Sequence, residues 1–189
     1  MAERERRRVR PRGTIFVPRT QILSASDVAK AITRMAHEVV ERTHDIDGLF
    51  VVGLQTGGVP FATALAAAIS TIVGNPVDLG LLDVAFYRDD IALHPVVESA
   101  TTTISSDLTD RTVLLVDDVL FTGRTIRAAL NALSDWGRPS AVQLAVMVDR
   151  GHRELPIRPD YVGKNLPTSR EEAIDATTDG VWIGKLVAK

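Results

Sequence analysis

The sequence predicts an α/β fold in which a central, mostly parallel β-sheet is flanked by helices and carries a small hood at one edge. Short apolar segments alternate along the chain with longer helical patterns, as strands alternate with helices in such folds. The apolar run at residues 113–116 is uninterrupted, which is typical of a strand buried on both faces. That run leads directly into Asp117 and Asp118, at the carboxyl edge where open α/β sheets bind ligands.

The individual elements follow from periodicity and from end signals. Ser24 or Ser26 suits the N-cap of a helix that extends to about residue 43. Further helices are predicted at 59–73 and 123–136, and strands at 49–54, 77–86, 113–118 and 142–148. Gly137 suits the position after the end of the third helix.

Two irregular segments and the C-terminus complete the predicted chain path. Residues 87–109 form a long irregular segment, and a loop of that length is usually functional or mobile. Residues 151–167 are polar and contain several prolines, so we interpret them as a hood or extended loop. Residues 174–177 and 181–187 predict a C-terminal hairpin that turns at residues 178–180.

Composition limits the class of protein. The chain has 189 residues, of which 45% are apolar and 24% charged, as in an ordinary globular domain. No apolar run approaches the roughly 18 residues of a membrane span, and the charged N-terminus is unlike a secretory signal. The chain has no cysteine, which excludes disulfides and thiolate zinc sites. We expect a cytoplasmic protein without membrane association.

The charge distribution divides the chain into two regions. Residues 1–20 predict a flexible basic arm, and residues 21–189 predict a single domain. Residues 1–12 hold six Arg and two Glu, a net charge of +4, so the remainder must carry −6 to reach the net −2. This excludes a globally basic nucleic-acid binder but not a local basic face. The arm is either a solubilising extension or a support for nucleic-acid contact.

The acidic pair is followed by a loop suited to an anion. Residues 122–125 read Thr-Gly-Arg-Thr and precede a helical pattern, so they offer backbone N–H groups, two hydroxyls and a helix N-terminus. Carboxylates suited to sugar hydroxyls beside an anion loop fit a ribose phosphate. The alternative is an ordinary strand-turn-helix with a surface Asp pair.

Residues 113–125 resemble the phosphoribosyl pyrophosphate (PRPP) signature of the type I phosphoribosyltransferase family. The resemblance implies the type I phosphoribosyltransferase fold. It also implies that Asp117 and Asp118 are catalytic, hold the ribose hydroxyls and contact Mg²⁺ indirectly. By the same resemblance the substrate-binding residues for PRPP and UMP are Thr56, Gly57, Asp117, Asp118, Val119, Leu120, Phe121, Thr122, Gly123, Arg124, Thr125, Arg150 and Ile174.

Two features outside the signature also match this family. Thr56 and Gly57 lie where the family has its pyrophosphate loop, although a plain turn would look similar. Related sequences carry Thr-Arg-Gly there, so Gly57 removes a positive charge that could stabilise the departing pyrophosphate. Arg88 begins the long irregular segment and would be a catalytic part of a lid that closes over PRPP. A solvated loop start is the alternative for Arg88.

Phe121 and three further segments indicate which nucleobase is the substrate and which subfamily the chain resembles. Phe121 cannot perform acid–base chemistry, whereas purine-specific members commonly have Asp at this position. Residues 148–169, 32–38 and 87–90 resemble the bifunctional pyrimidine-operon regulators that are also uracil phosphoribosyltransferases. This implies conversion of uracil and PRPP to UMP and pyrophosphate, with Arg150 at the nucleotide. Ile174 would lie near the base, unless it is simply a core residue.

The first predicted helix has a polar face opposite its apolar stripe. Such a face is ordinarily just solvated. The subfamily resemblance implies instead that this face binds pyrimidine-operon leader mRNA, by contacts to unstacked bases and phosphates. The matching RNA-binding residues are Thr33, Arg34, His37 and Arg42, with His152, Arg158 and Lys164 as additional candidates. The same resemblance implies a homodimer or a higher homo-oligomer.

Two alternative functions are also compatible with the sequence. The chain could be a regulator with weak or no transferase activity that senses PRPP or uridine nucleotides such as UMP and UTP. It could also be another type I phosphoribosyltransferase, acting on a purine or on orotate, although Phe121 and the subfamily resemblance disfavour this.

Overall fold

The computed structural model describes residues 14–87 and 101–188 of the chain. In chain order these residues form β1 (Thr14–Ser24), α1 (Ala25–Arg42), β2 (Leu49–Leu54), α2 (Gly58–Val73), β3 (Asp78–Leu82), β4 (Thr112–Leu120), α3 (Arg124–Leu133), β5 (Ala141–Asp149), β6 (Tyr161–Asn165), β7 (Glu172–Thr177) and β8 (Gly180–Ala188). Short 3₁₀ turns lie at Ala85–Tyr87 and Ser134–Trp136.

The strands form two sheets. Five strands in the order β3-β2-β4-β5-β6 make a sheet that is parallel throughout. The other three, in the order β1-β8-β7, make an antiparallel sheet that we call the hood sheet. The predicted α/β fold with a parallel sheet and a smaller hood is confirmed.

The parallel sheet is covered on both faces, as its apolar strands predict. Leu114 and Val116 of β4 pack into one core with α1 and α2, and the hood sheet joins this core. Val113 and Leu115 point to the opposite face and pack against α3. This alternation follows from the two-residue period of a strand, and it places β4 at the centre of the molecule.

Two elements of the parallel sheet differ from prediction. The second predicted strand, 77–86, is only Asp78–Leu82, and a 3₁₀ turn follows it. The segment interpreted as hood or extended loop, 151–167, contains β6, the fifth strand. Asp160 aligns β6 through a backbone hydrogen bond to Leu144 O and a side-chain oxygen that accepts from Leu144 N, each 2.8 Å long. Because this alignment is tertiary, the polar local sequence did not show it.

The hood sheet includes the predicted hairpin and one unexpected strand. The C-terminal hairpin is confirmed as β7 and β8. The predicted arm covered residues 1–20, but residues 14–20 belong to β1, which pairs with β8 along its length. The domain therefore includes residues that composition assigns to the arm. Among the described residues, no helix has both the length and the apolar character to cross a membrane.

Candidate active site

Three loops meet at the carboxyl edge of the parallel sheet. They follow β2, β4 and β5, which are neighbours in the sheet and run in the same direction. The loop after β5 is attached to the end of β4 by a hydrogen bond from Arg150 N to Leu120 O of 3.2 Å. Segments that are far apart in sequence are thereby assembled into one site.

The acidic pair lies in β4 itself, close to its carboxyl end, since the strand continues to Leu120. Asp117 is buried, at 8% exposure. Its Oδ1 accepts a hydrogen bond from Asp118 N at 2.9 Å, and Asp118 Oδ1 accepts one from Val119 N at 2.6 Å. These bonds fix both carboxylates relative to the strand.

Two glycines allow the β2–α2 loop to touch the acidic pair. A Cβ added to Gly57 would lie 2.1 Å from Asp118 Oδ2, and one added to Gly58 would lie 2.3 Å from Val116 O. Gly57 is the N-cap of α2, so the Asp118 carboxylate lies beside the positive end of that helix. The Gln55-Thr56 peptide bond is cis. With Asp118 in this orientation, a side chain at residue 57 would collide with its carboxylate.

The predicted anion loop lies between the end of β4 and the first turn of α3. Gly123 has φ of +92° and is the N-cap of α3, a conformation that glycine adopts readily. Arg124 N donates to Thr122 Oγ1 at 3.4 Å, and Arg127 N donates to Gly123 O at 3.0 Å. The Thr122 hydroxyl and the α3 N-terminus thus follow β4, the strand that carries the acidic pair, and both can donate hydrogen bonds to an anion.

Phe121 forms one wall of the site with two basic residues. The Arg150 guanidinium carbon lies 4.1 Å from the centre of the Phe121 ring. The Phe121 and His152 rings form a T-shaped pair with centroids 5.8 Å apart. Arg150 Nε donates to Thr168 Oγ1 at 3.0 Å, and its Nη2 donates to Ser169 O at 2.8 Å. Burial lowers the pKa of Arg150, and the Glu172 carboxylate opposes this. Arginine still remains charged near neutral pH.

Arg153 supports the same wall through hydrogen bonds to backbone and to Asp149. The sequence did not predict this role. Its Nη2 donates to Asp149 Oδ2 at 2.6 Å, its Nη1 to Phe121 O at 2.8 Å and its Nε to Ile157 O at 3.0 Å. One guanidinium therefore joins the end of β5, the residue after β4 and the loop that follows β5. The sequence signal, an Asp four residues before an Arg in a basic segment, does not distinguish Arg153 from its neighbours.

The 149–157 loop also reaches the anion loop. Glu154 N donates to Thr122 O at 3.0 Å, and Arg124 Nε forms an ion pair with Glu154 Oε2 at 2.9 Å. Glu154 was another unpredicted neighbour of the site. Both contacts limit the freedom of the backbone that follows β4.

Arg88 and Ile174 are the remaining predicted site residues. Arg88 lies outside the described residues. Ile174 is buried in the core formed by α1, α2 and the hood sheet, and it is paired with Ile183 in the hairpin. Its placement matches the core interpretation that the sequence left open.

The predicted RNA-binding residues occupy two places. Arg34 donates from Nη2 to Val162 O and Gly163 O of β6, at 2.8 and 2.9 Å, and from Nη1 to Glu38. Arg42 donates to Asp160 O at 3.2 Å and lies over Tyr161. These two arginines therefore hold α1 against β6, where an exposed lysine, Lys164, also lies.

The remaining candidates differ in how accessible they are. Thr33 and His37 are exposed on α1, although the Thr33 hydroxyl donates to Ala29 O within the helix. Arg158 is exposed in the loop before β6. His152 lies at the carboxyl edge against Phe121, with its Nε2 at hydrogen-bonding distance from Thr168 O. His152 thus belongs to the wall of the active site rather than to the α1 face.

The chemistry of the acidic pair suits Mg²⁺. The described residues contain no group of three or more His, Cys, Asp or Glu side chains placed to hold a metal. Two carboxylates provide the hard oxygen ligands that Mg²⁺ prefers, and this ion commonly retains waters and binds substrate phosphates as well. Asp117 and Asp118 therefore fit a metal held together with a phosphorylated substrate.

Known proteins resemble this chain over most of its length. Residues 18–179 match the family model described as the phosphoribosyl transferase domain. The protein named "Bifunctional protein PyrR" from Deinococcus radiodurans is 50% identical over 175 residues, covering 89% of this chain and 94% of the relative. Its namesake from Bacillus subtilis is 49% identical over 172 residues, covering 88% and 94%. In Trichormus variabilis the identity is 54%, with 82% and 86% covered.

Solved structures show the same fold at low sequence identity. The hypoxanthine phosphoribosyltransferase of Trypanosoma cruzi superposes with a TM-score of 0.68 at 18% identity, covering 89% of this chain and 97% of that one. A hypoxanthine phosphoribosyltransferase from Staphylococcus aureus gives a TM-score of 0.66 at 18% identity, covering 90% and 93%.

Proposed function

Because the chain belongs to the phosphoribosyltransferase family and, within it, to the PyrR proteins, we propose that it forms UMP and pyrophosphate from uracil and PRPP. Membership of this family makes the chain a PRPP-using transferase. A second proposed role, as in a bifunctional protein, is regulation through binding of pyrimidine-operon leader mRNA.

The observation that supports the transferase proposal is the acidic pair beside the N-terminus of α2, on the strand that leads into the N-terminus of α3. Asp117 and Asp118 would hold the ribose hydroxyls and share Mg²⁺ with substrate oxygens, while residues 122–125 would hold the 5′-phosphate. The N-terminus of α2, at Gly57, would face the pyrophosphate. Since Phe121 has no acid or base, the residues act by positioning the substrates and by stabilising charge.

UMP formation by the purified protein with uracil, PRPP and Mg²⁺ tests this proposal. The Asp118→Asn variant should lose about 100-fold in turnover, as when a preorganised electrostatic group is removed from other active sites. Asp47→Asn makes the same charge change at an exposed position in the α1–β2 loop and should leave turnover unchanged. Full activity of Asp118→Asn would contradict the ribose role.

A panel of bases separates the alternatives. Robust turnover of uracil would show that Gly57 is tolerated in place of the family's arginine. If the protein instead converts hypoxanthine, guanine or orotate, that base is its substrate and the uracil assignment is wrong. If no base is converted but PRPP and UMP still bind, the protein is a regulator that senses nucleotides. The absence of a positive charge at Gly57 favours this alternative.

The RNA proposal is best tested at the exposed part of α1. Arg34 and Arg42 also stabilise the packing of α1 on β6, so their removal would confuse RNA contact with local folding. The double variant Thr33→Ala, His37→Ala should weaken leader RNA binding and retain UMP formation. Glu41→Gln, exposed on the same helix, is the matched control. Unchanged RNA affinity of the double variant would refute the helix-face proposal.

We further propose that the chain forms a homodimer or a higher homo-oligomer, which would present more than one α1 face to a structured RNA. Sedimentation velocity at several concentrations would determine the assembly. A monomer that binds leader RNA with full affinity would contradict a shared RNA surface.

A further inference from the structure

Glu172 is a carboxylate at the start of β7 that the proposed mechanism does not use. Its Oε1 accepts a hydrogen bond from Arg19 Nη2 of β1 at 2.6 Å, and its Oε2 accepts one from Ser169 N at 2.9 Å. The Glu172 side chain is 17% exposed, whereas that of Arg19 is 60% exposed. Both oxygens of a mostly buried carboxylate are thus fixed where the hood sheet meets the preceding turn.

The turn before β7 carries this constraint to Arg150. Ser169 O accepts hydrogen bonds from Glu172 N at 3.3 Å and from Arg150 Nη2 at 2.8 Å. Thr168 Oγ1 accepts a second bond from Arg150, at 3.0 Å. A continuous series of hydrogen bonds therefore runs from Arg19 through Glu172 and Ser169 to Arg150, whose guanidinium lies on Phe121.

The charge of Glu172 also acts on Arg150. Arg150 is 7% exposed, and its contacts are a hydroxyl, a carbonyl and an aromatic ring. Within the part of the chain that the structure describes, no carboxylate forms an ion pair with it. A buried cation without a direct partner is costly, and the negative charge of Glu172 partly offsets this cost by opposing the fall in the pKa of Arg150.

From these contacts we infer that Glu172 is a positioning residue for the wall of the active site formed by Phe121 and Arg150, where it holds Arg150 against Phe121 through the turn at Thr168 and Ser169. Because Phe121 occupies the position at which purine-specific members commonly have an acid–base Asp, we assign this wall to the base side of the site. The inference rests on the proposed transferase function. Removal of the carboxylate would release the turn and with it Arg150. The acidic pair and residues 122–125 make no hydrogen bond to Glu172, so the PRPP side should be unaffected.

Kinetics with both substrates test this role. Glu172→Ala should raise the KM for uracil about tenfold, in line with loss of a hydrogen bond to a charged group, and leave the KM for PRPP within about twofold. Glu172→Gln should be intermediate, because its amide oxygen can still accept from Ser169 N while the charge is lost. Arg19→Ala should have a small effect, since exposed ion pairs contribute little.

Glu171→Gln is the matched control, since it removes the same charge from the adjacent, exposed residue. This variant should keep both KM values. If Glu172→Ala does not fold, Glu172→Gln provides the same comparison. An unchanged KM for uracil in the Glu172 variants would overturn the inference, and so would a parallel rise in both KM values, which indicates general loss of structure.

Failure of the proposed function is distinguishable from failure of this inference. If the wild-type protein forms no UMP, calorimetric binding of UMP replaces the uracil KM, and the Glu172 variants should again bind more weakly than Glu171→Gln. Equal UMP affinity of all variants would overturn the inference while the transferase proposal is judged separately. Absence of UMP binding by the wild-type protein would overturn both.

Discussion

At the scale of single residues, Gly57 and Gly58 make different contacts although they are adjacent. A Cβ on Gly57 would meet the end of the Asp118 side chain, which can rotate away. A Cβ on Gly58 would meet backbone, lying 2.3 Å from Val116 O and 3.0 Å from Asp117 Cα. The first glycine therefore leaves room for a carboxylate, and the second allows the start of α2 to pack directly on β4.

These contacts predict that alanine at residue 58 affects stability, whereas alanine at residue 57 affects ligand binding. Gly58→Ala should destabilise the protein by about 1–3 kcal/mol, the usual cost of overpacking, because strand backbone must move. Gly57→Ala should change the melting temperature little but displace Asp118 and weaken PRPP binding. Thermal unfolding and PRPP titration of both variants check this. Equal loss of stability in the two would show that the Asp118 side chain cannot move.

At the scale of elements, α1 begins at a complete capping box. Ser24 Oγ accepts from Asp27 N at 3.3 Å, and Asp27 Oδ2 accepts from Ser24 N at 3.0 Å. These bonds satisfy backbone donors that the first turn of a helix leaves free. Ser24 is also the last residue of β1, so one residue ends a hood strand and starts the helix that carries the proposed RNA face.

Ser24→Ala should therefore lower stability by about 1 kcal/mol, the typical value for a lost N-cap. We expect a fall in melting temperature of about 2–4 °C for a domain of this size. Ser140→Ala, at an exposed serine outside α1, is the control. A melting temperature equal to that of the control would show that Asp27 alone suffices to start the helix.

The same capping box predicts a pH dependence. Hydrogen bonds from Ser24 hold the pKa of Asp27 below its ordinary value of 3.8. Because the folded-state pKa is the lower one, this contribution is present above pH 3.8 and is lost as pH falls through the lowered pKa. The stability difference between wild type and Ser24→Ala should be largest near neutral pH and shrink in acid, as denaturant unfolding at several pH values would show.

At the scale of the whole molecule, the hood sheet joins the two ends of the described chain. β1 pairs with β8 over its whole length, with bulges after Pro18 and Gln21. The side of β8 away from β1 pairs with β7, whose Ile174 enters the core beneath α1 and α2. The hood sheet is therefore integral to the main core.

A pair of truncations tests this integration. A chain beginning at Thr14 keeps β1 and should retain the melting temperature of the full chain. A chain beginning at Ser24 lacks the strand, exposes an edge of β8 and removes Arg19, so it should unfold at a lower temperature and associate more readily through the free edge. Identical unfolding of the two chains would contradict a structural role for β1.

Most of the fold could be predicted because its signals are local. The apolar run of β4, the serine before α1 and the turn of the C-terminal hairpin each report on a few neighbouring residues. The acidic pair and Gly123 were found in the same way, since their spacing places them after one strand. β6 and β1 were not recognised as parts of the two sheets, because their polar sequences acquire strand geometry only from partners elsewhere in the chain.

The sequence by itself determined the fold class, the order of the main elements and the candidate ligand edge, since hydrophobic period and motif spacing are properties of short segments. Only the tertiary structure decided which side chains support that edge. Arg153 contacts Phe121 across 32 residues, and Arg19 contacts Glu172 across 153 residues. Such contacts depend on how the sheets bring distant segments together, and no local pattern encodes which of many arginines and glutamates will meet.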